Sequence, residues 1–315
     1  MVKCDRCGFR EASIYQRHSG ERLCRECFLE DVRNRVLREI KRWNMISPGD
    51  KVLLALSGGK DSFVLLDLLS EIHDPSKLGG VTVVEGIEGY NRLEDLERLK
   101  RIARDRGVDL HITSFRELSG YTLDEMVKRS DEAGLKISPC TFCGIYRRRG
   151  INYVARIHGY DKVATAHNLD DEAQTLLINI LRGDIPRIVT LHPLRRNPSE
   201  LFVHRVKPLR KIYEYETAIY AKIKSYTPQV VECPYLELRP SLRARIRDIL
   251  YALEEIRPGT LLRLLEEFDE LLIQEVSKTR VSLGVCRICG EPTSPGRDIC
   301  KACELLIKTG LLSIR

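Results

Sequence analysis

Residues 51–72 read KVLLALSGGKDSFVLLDLLSEI and contain the feature that decides the fold. The apolar run before Ser57 is typical of a buried strand, and the apolar segment after Ser62 is typical of a helix. Gly58 and Gly59 between them predict a tight turn. Such a turn before a helix binds phosphate, because its backbone approaches the ligand closely and the helix N-terminus offers unpaired N–H groups. The spacing of a Walker A loop is absent, so a different type of phosphate loop is expected.

Strands and helices alternate on both sides of that loop. Strands are predicted at 81–85, 109–115 and 162–167, and helices at 29–44, 92–106, 170–182 and 242–275. This alternation predicts an α/β fold with a doubly wound sheet that is parallel at its centre. Ligands of such sheets bind at the carboxyl ends of the strands. From about residue 213 the sequence becomes predominantly helical.

The composition excludes several classes of protein. The chain has 315 residues, 43% hydrophobic and 31% charged, which is enough to bury a sizeable core in two or three domains and excludes a disordered or fibrous protein. No apolar stretch approaches the roughly eighteen residues of a membrane span, and the first residues lack the apolar run of a signal peptide. We therefore expect a soluble, cytoplasmic protein. Its net charge of +7 favours an anionic partner.

A second polar motif, HNLDDE at 167–172, lies between a predicted strand and a predicted helix. Carboxylates at the carboxyl end of a strand can hold Mg²⁺ or orient a polyphosphate. The alternative is that Asn168 or Asp170 only caps the helix, and the two roles are compatible. Because both motifs follow strands of one sheet, we expect them to open onto one crevice. Asp171 is the preferred functional carboxylate.

Ten of the eleven cysteines form five CxxC pairs. In a reducing compartment this clustering indicates metal binding rather than disulfides. Two pairs at each end of the chain supply four thiolates, which is the tetrahedral donor set of structural zinc. A redox role would explain a single CxxC pair, but it does not explain why two such pairs occur together at each end of the chain. The two predicted zinc sites are Cys4, Cys7, Cys24 and Cys27, and Cys286, Cys289, Cys300 and Cys303.

Three cysteines remain, and their chemistry stays open from the residues alone. Cys140 and Cys143 form a pair without a partner, and Cys233 follows ninety residues later. Three thiolates can hold a 4Fe-4S cluster and leave one iron open. A redox pair with a buried Cys233, or persulfide chemistry without a metal, explains the same residues.

Four segments in this order resemble the tRNA 2-thiouridine synthetases, a family of PP-loop ATP pyrophosphatases. They are SGGKDS at 57–62, CTFCGIYRRR at 140–149, AHNLDDEAQTLLINILRGD at 166–184 and ECPY at 232–235. The resemblance covers nearly the whole chain and is closest to the group that contains TtuA and the wobble-uridine thiolases of archaea and the eukaryotic cytosol.

The resemblance implies an ATP-dependent enzyme that adenylates the C2 oxygen of a uridine and then replaces that oxygen with sulfur. It implies a 4Fe-4S cluster on Cys140, Cys143 and Cys233. The sulfur would come from a ubiquitin-like thiocarboxylated carrier protein or from free sulfide, and the enzyme would be a homodimer. Residues expected to contact ATP or Mg²⁺ are Ser57, Gly58, Gly59, Lys60, Asp61, Ser62, His167 and Asp171, and those expected to act in catalysis are Asp61, Asp171, Arg147, Cys140 and Cys233.

Two departures from the family pattern concern the second strand and the target. Val84 stands where relatives commonly have an acidic residue, which puts a role for an acid at that position in doubt. The Cys24–Cys27 pair and the ILRGD sequence at 180–184 favour wobble uridine 34 over T-loop position 54 as the target.

The expected organisation is a zinc finger at 1–30, a PP-loop catalytic domain at 31–235 with a linking helix at 31–46, a helical extension at 236–280 that contacts tRNA, and a second zinc finger at 281–315. Basic clusters along the chain are candidate tRNA contacts. They comprise Arg147, Arg148, Arg149, Arg205, Lys207, Arg210, Lys211, Arg239, Arg243, Arg245 and Arg247. The alternatives are another PP-loop adenylating enzyme that acts on tRNA, or a non-catalytic, zinc-dependent RNA-binding protein on the same scaffold.

Overall fold

The computed structural model describes residues 1–90, 92–195, 197, 199–229, 231–235, 242–278 and 283–313. Its centre is a five-stranded sheet with helices packed around it, and a small two-stranded sheet lies near each end of the chain. Among the described residues, no helix is both long and apolar enough to cross a membrane.

The N-terminal region is a small hairpin followed by a long helix. Strands β1 (Ile14–Tyr15) and β2 (Arg22–Leu23) pair antiparallel, and helix α1 covers Arg25–Arg42. The inner face of α1 buries Phe28, Val32 and Val36 in the largest apolar cluster, which also contains residues of the central sheet and its helices. The first four-cysteine site is therefore continuous with the main core.

The central sheet is parallel throughout its described strands. These are β3 (Val52–Ala55), β4 (Leu78–Val84), β5 (Asp109–Ser114), β6 (Lys162–Thr165) and β7 (His204–Val206). Their order is β5-β4-β3-β6-β7. Strands β4 and β5 are added on one side of β3, and the chain then returns to add β6 and β7 on its other side. In a doubly wound fold the ligand crevice lies at the carboxyl ends of the two strands at this switch, which here are β3 and β6. The predicted fold class is confirmed.

Eight helices accompany this sheet in the described part of the chain. They are α2 (Lys60–Ile72), α3 (Leu93–Asp105), α4 (Phe115–Ser119), α5 (Leu123–Glu132), α6 (Pro139–Ile157), α7 (Leu169–Leu181), α8 (Ile185–Val189) and α9 (Glu214–Ile223). A 3₁₀ turn at Pro75–Lys77 precedes β4. Helix α2 is apolar on nearly all sides and is buried from Ser62 to Leu69, as expected for a helix packed between the sheet and other helices.

The strand predictions were wrong at two points, the start of β4 and the missing β7. Strand β4 begins at Leu78, because Gly79 and Gly80 belong to it although they carry no apolar side chain. A Cβ at position 79 would lie 1.8 Å from the hydroxyl of Tyr160, so only glycine fits there. Strand β7 was not predicted, because three residues between basic positions show no strand periodicity.

The C-terminal region contains two helices, a hairpin and a last helix. These are α10 (Leu242–Ile256), α11 (Thr260–Lys278), β8 (Gly284–Val285), β9 (Pro292–Thr293) and α12 (Lys301–Lys308). The prediction of one helix over 242–275 was wrong. Gly259 adopts a φ of +89°, and the Glu254 carboxylate accepts the N–H groups of Gly259 at 2.6 Å and Leu261 at 2.9 Å. This cap begins α11 as a separate helix.

The candidate tRNA contact Arg210 is a buried structural residue instead. Its side chain is 1% exposed and donates to Glu39 of α1 at 2.8 Å and to both carboxylate oxygens of Asp269 of α11 at 2.7 Å. Lys207 likewise donates to the buried Glu172 at 2.6 and 2.8 Å. The sequence prediction failed here because it could not see the carboxylates brought by distant helices. Arg239 lies outside the described residues.

Candidate functional site

The phosphate loop 57–62 and the 167–172 motif lie side by side at the carboxyl ends of β3 and β6. The two strands are direct neighbours in the sheet. Asn168 Nδ2 lies 3.4 Å from Asp61 Oδ1, so the two loops are in direct contact. The predicted shared crevice is therefore present.

The backbone of the phosphate loop is prepared for an anion. Gly58 adopts a φ of +79°, a conformation that favours glycine. Gly59 caps α2 with its backbone alone, since no side chain in the described part of the chain accepts the first N–H groups of the helix. Ser62 donates its hydroxyl to the Gly59 carbonyl at 2.7 Å, and Gln229 donates its backbone N–H to the Gly58 carbonyl at 3.0 Å. Open N–H groups at a helix N-terminus suit a phosphate.

Asp61 lies at the meeting point of several polar groups. One carboxylate oxygen accepts from the Thr217 hydroxyl and from Asn168, and the other accepts from Lys60 Nζ at 3.0 Å. Lys60 also donates to Glu214 at 2.9 Å. A partly exposed carboxylate beside an anion-binding turn is the type of ligand that Mg²⁺ takes together with phosphate oxygens.

Asp171 belongs both to a helix capping box and to the crevice. It forms a capping box with Asn168, in which each residue's side chain accepts the other's backbone N–H, at 3.0 and 3.4 Å. Burial raises the pKa of Asp171, and nearby His167 and Arg243 oppose that rise. The N-cap is therefore Asn168, one of the two predicted capping residues, and Asp171 closes the capping box from within the crevice.

Asp170 and His167 have structural contacts at the same edge. Burial raises the pKa of Asp170 to about 6, and its carboxylate accepts the backbone N–H of Glu214 at 2.7 Å. His167 Nδ1 lies 2.9 Å from the Thr165 hydroxyl, and burial lowers its pKa. His167 is thus a neutral ring at the end of β6.

Sequence reasoning missed three residues that complete the crevice. Glu214 receives Lys60 and also the Tyr251 hydroxyl at 2.9 Å, and Thr217 binds Asp61. Arg243 of α10 lies 3.5 Å from Asp171 and donates to Thr175 at 2.8 Å. None of them belongs to a local motif, because each is brought to the crevice by the packing of α9 or α10. Arg243 is a neighbour of Asp171 rather than an isolated surface charge.

A cavity of about 170 Å³ extends from the phosphate loop along the ends of β3 and β4. Apolar residues such as Phe63, Val81 and Leu99 line one side, and Ser57 and Gly58 line the other. The same cavity is bounded by Arg98, whose buried Nε has no hydrogen-bond partner among the described residues. An apolar wall beside a phosphate loop and an unused donor is the kind of lining that a nucleotide site needs.

Arg147 connects this cavity to the three central cysteines. Its guanidinium binds the buried carboxylate of Glu85, and that charge raises the pKa of Arg147 against the effect of burial. Glu85 directly follows Val84, so the acid that faces the cavity stands at 85. Arg147 and Cys143 are four residues apart on α6, which places them on one face of the helix.

Cys140, Cys143 and Cys233 are the three central cysteines, and the first two lie in the first turn of α6. Cys140 is exposed and the other two are partly buried. Burial raises the pKa of Cys143 to about 12, and the charges of Cys140 and Cys233 act in the same direction. These three sulfurs are not a group within 4.8 Å, in contrast to the two four-cysteine sites in the described chain. Such spacing does not suit a single metal ion, which needs its ligand atoms close to one another.

The two predicted four-cysteine sites are present. In each, the four sulfurs lie within 4.8 Å of one another, as ligands of a single ion require. In the first site burial opposes ionisation, but backbone N–H groups of Cys7 and Cys24 lower the pKa of Cys4 to about 6. Thiolate is the metal-binding form of cysteine, so this site is prepared for a cation.

Known proteins similar to this chain are consistent with these sites. Residues 3–29 match the family described as 2-thiouridine synthetase TtuA, N-terminal LIM domain, and residues 30–230 match the PP-loop domain family. A probable sulfurtransferase of Methanocaldococcus jannaschii is 37% identical over 96% of this chain and 86% of its own length. Cytoplasmic tRNA 2-thiolation protein 1 of Drosophila ananassae is 37% identical over 97% of this chain and 87% of its own.

A solved structure also matches over nearly the whole length. It is the U34-tRNA thiolase NcsA from Methanococcus maripaludis with its 4Fe-4S cluster, at a TM-score of 0.81 and 31% identity. The match covers 99% of this chain and 98% of that one.

Proposed function

The chain belongs to the PP-loop family of tRNA 2-thiolation proteins, and from this premise we propose that it is an ATP-dependent tRNA sulfurtransferase. One observation carries the proposal: the nucleotide cavity at the phosphate loop is bounded by Arg147, one helical turn from Cys143 on α6. Arg147 therefore lies between the phosphate loop and the central cysteines, and its charge and that of Glu85 act on the pKa of both Cys143 and Cys233. Another PP-loop adenylating reaction would not need these cysteines.

The first step activates the uridine. The C2 oxygen attacks the α-phosphorus of ATP, the bond to the bridging oxygen breaks, and pyrophosphate leaves. The N–H groups of the phosphate loop stabilise the negative charge that develops on the leaving pyrophosphate. Ser57 and Ser62 add hydroxyls, and Lys60 adds a positive charge beside the loop.

Magnesium is proposed to bind between Asp61 and Asp171, which lie on the two adjoining loops. Both are carboxylates beside a phosphate site, and Mg²⁺ is usually held by one or two carboxylates plus substrate phosphates. When ATP and the ion bind, Lys60 is released from Asp61 and turns toward phosphate.

The second step replaces the activated oxygen. A sulfide equivalent adds to C2, the C2–O bond breaks, and AMP leaves with that oxygen. Cys140, Cys143 and Cys233 are proposed to hold a 4Fe-4S cluster, which when bound offers one iron without a protein ligand for sulfide. Arg147 lies beside the thiols and balances the negative charge that they carry as ligands. Its bond to Glu85 keeps the guanidinium directed at the cavity.

The target and partners follow the relatives. The solved relative is named a U34-tRNA thiolase, so we propose wobble uridine 34 of tRNA as the target. We further propose sulfur delivery by a ubiquitin-like thiocarboxylated protein or by free sulfide, and a cytoplasmic location like that in the name of a relative. We also propose a homodimer, on the resemblance to the family alone.

The two four-cysteine sites are proposed to bind one Zn²⁺ each. The proposed organisation is a finger at 1–30, a catalytic domain at 31–235, a helical extension at 236–280 and a finger at 281–315. The second finger packs its Cys300 and Cys303 into the same apolar cluster as Phe142 and Tyr146 of α6. It therefore supports the helix that carries Arg147 and two of the central cysteines.

Pyrophosphate release with an unmodified tRNA transcript tests the enzyme assignment. Wild-type protein is expected to release pyrophosphate only when tRNA is present. Asp61→Asn removes a proposed Mg²⁺ ligand and is expected to lower the rate at least about 100-fold, as electrostatic contacts to a transition state do. Glu71→Gln, at the far end of the same helix, is the matched control and should retain the rate. Equal rates for both variants would contradict the proposal.

Cys233→Ser separates the two steps. It should abolish 2-thiouridine formation, measured by nucleoside mass spectrometry, and leave pyrophosphate release intact. Iron analysis after anaerobic purification should give about four irons per wild-type chain and far fewer in the variant. Zinc alone in the wild-type protein would contradict the cluster.

A further inference from the structure

A second and larger cavity, of about 620 Å³, lies on the other side of α6. Ile145, Arg148, Arg149 and Asn152 line it, and their spacing of three and four residues defines one face of the helix. The nucleotide cavity is lined instead by Arg147 and Ile151. One helix thus separates the two cavities.

Strand β7 and the C-terminal four-cysteine region form the other walls of the larger cavity. Arg195 and Arg205 contribute from the segment before β7 and from β7 itself. We call this space the arginine cavity, after Arg148, Arg149, Arg195 and Arg205.

These four arginines have no carboxylate within 4.0 Å among the residues that the structure describes. Glu291, the acidic residue of the lining, is bound to Arg156 at 2.6 Å. The other two cations of the lining, Arg297 and Lys301, both bind Glu304. Within the described part of the chain, positive charge in this cavity is therefore left without a counter-charge.

Backbone carbonyls position the arginines without neutralising them. Arg195 donates to the carbonyls of Thr190 at 2.9 Å and Arg205 at 3.4 Å. Arg205 in turn donates to the carbonyl of Arg148 at 2.8 Å. A guanidinium has five N–H donors, so each retains donors for a ligand. The side chains of Arg195 and Arg205 are thus held in place by backbone acceptors, the second of them by the backbone of Arg148.

Electrostatics in the cavity agree with this geometry. Burial, Arg195 and Arg148 lower the pKa of Arg205 to about 10, and burial is also the main cause that lowers the pKa of Arg148 and of Arg195. Burial, Lys162 and Arg195 lower the pKa of His204 to about 4, so this ring stays neutral at pH 7. Partly buried like charges without a partner are unfavourable unless an anion binds.

We propose that the arginine cavity binds backbone phosphates of the tRNA strand next to the nucleotide that is modified. This inference rests on the proposed function, since it assigns a position to that substrate. The volume exceeds what one phosphate needs, and the apolar wall that includes Phe202 and Val203 suits a base stacked beside the phosphates. Arginine forks match phosphate oxygens in pairs.

The arginine cavity and the nucleotide cavity lie on opposite faces of α6. Arg148 and Arg149 follow Arg147 directly, so the same helix presents phosphate ligands on one face and the catalytic arginine on the other. A nucleotide held in the arginine cavity would lie one helix diameter, about 10 Å, from the nucleotide cavity.

Affinity for a fluorescent, unmodified tRNA transcript with uridine at position 34 tests the inference. Arg148→Gln and Arg205→Gln are each expected to weaken binding about tenfold at physiological salt, and the double variant about 100-fold. Each is expected to reduce the slope of log affinity against log salt by roughly 0.7–0.9, the value for one lost phosphate contact. Arg104→Gln, an exposed arginine of α3 away from the cavity, is the charge-matched control and should change affinity less than about twofold.

Two readouts separate failure of this inference from failure of the proposed function. ATP affinity and zinc content should be unchanged in both variants. Unchanged tRNA affinity in the double variant would overturn this inference and leave the proposed function intact. The same holds if the variants lose thiolation activity only when a protein supplies the sulfur. Wild-type protein that binds no tRNA would overturn both proposals.

Ultraviolet cross-linking of wild-type protein to the same transcript gives a result that does not depend on variant folding. Peptides containing residues 202–205 should carry cross-linked nucleotides. Cross-links that map elsewhere and spare these residues would overturn the inference.

Discussion

Arginine occupies two opposite environments in this protein. Arg210 is fully buried between Glu39 and Asp269, and each charge has a partner within 2.8 Å. Arg205 and Arg148 line an open cavity, where Arg205 donates to a backbone carbonyl and neither has a carboxylate within 4.0 Å in the described part of the chain. The first arrangement joins α1, the turn after β7 and α11, whereas the second leaves charge for a ligand.

The comparison of Arg210 with Arg205 and Arg148 shows that the function of a basic residue depends on whether the fold places carboxylates beside it. Opposite charges beside Arg210 raise its pKa despite burial, whereas burial and like charges lower the pKa of Arg205. At these two positions the direction of the pKa shift follows from whether carboxylates or other arginines surround the guanidinium. The residue type is the same in both.

The largest effect is expected when the buried pair is broken. Arg210→Ala leaves the buried Asp269 and Glu39 with only the more distant Lys211, at 3.9 and 4.0 Å, and we expect a loss of about 3–5 kcal/mol in the free energy of unfolding. Urea denaturation followed by circular dichroism measures it. The exposed control Arg104→Ala should stay within about 0.5 kcal/mol of wild type. A loss below about 1 kcal/mol would remove the contrast between the two environments.

Charge reversal in the arginine cavity should have a large effect on binding and none on folding. Arg205→Glu is expected to weaken tRNA affinity about 100-fold, or about 2.7 kcal/mol, because it repels phosphate and also pairs with Arg148 or Arg195. The urea midpoint should stay equal to that of wild type or rise. A fall in the midpoint would mean that Arg205 is structural, like Arg210.

A neutral substitution at Arg205 tests whether the charges of the arginine cavity raise or lower the free energy of unfolding. Arg205→Gln removes repulsion among like charges, so the free energy of unfolding should stay constant or rise by up to about 1 kcal/mol. Arg210→Ala changes it in the opposite direction. The two variants are compared in one urea series at pH 7, and equal losses would refute the distinction.

The remaining effect concerns pH. The pKa of His204 is about 4 in the folded state, below its usual 6.5. Between these values the unfolded chain takes up a proton that the folded chain does not, so stability falls as pH decreases from about 6.5 to 4. His204→Asn cannot titrate at this position and should lose less stability than wild type between pH 7 and pH 5; the two pKa values alone give about 2 kcal/mol, and solvent screening of the partly exposed ring reduces this difference. Equal losses would mean that the cavity does not raise the cost of protonation.

Local motifs predict much of the site. The segment 57–62, the motif at 167–172 and the paired cysteines each carry their chemistry within a few residues, so strand–turn–helix and four-thiolate sites could be identified directly. Long-range partners could not. Glu214 and Thr217 at Asp61, and Arg243 at Asp171, arrive from helices that lie far from these motifs along the chain.

Errors in the fold prediction have the same origin. Strand β7 and the glycine start of β4 are set by neighbouring strands, and the break between α10 and α11 is set by Gly259 and its cap from Glu254. In each case tertiary or capping contacts outweighed the local apolar pattern. The parallel sheet itself was predictable, because its central strands are continuous apolar runs.

Three features could be predicted from local sequence: the phosphate turn, the strand–helix alternation of a doubly wound sheet, and the two four-thiolate sites. Each depends on residues within one turn, one strand or one short hairpin. Which arginines are neutralised and which are open to a ligand depends instead on contacts between residues that are distant in the chain. Electrostatic pairing acts over a few ångströms in space, and the carboxylates that neutralise Arg210 lie 171 and 59 residues away in the chain.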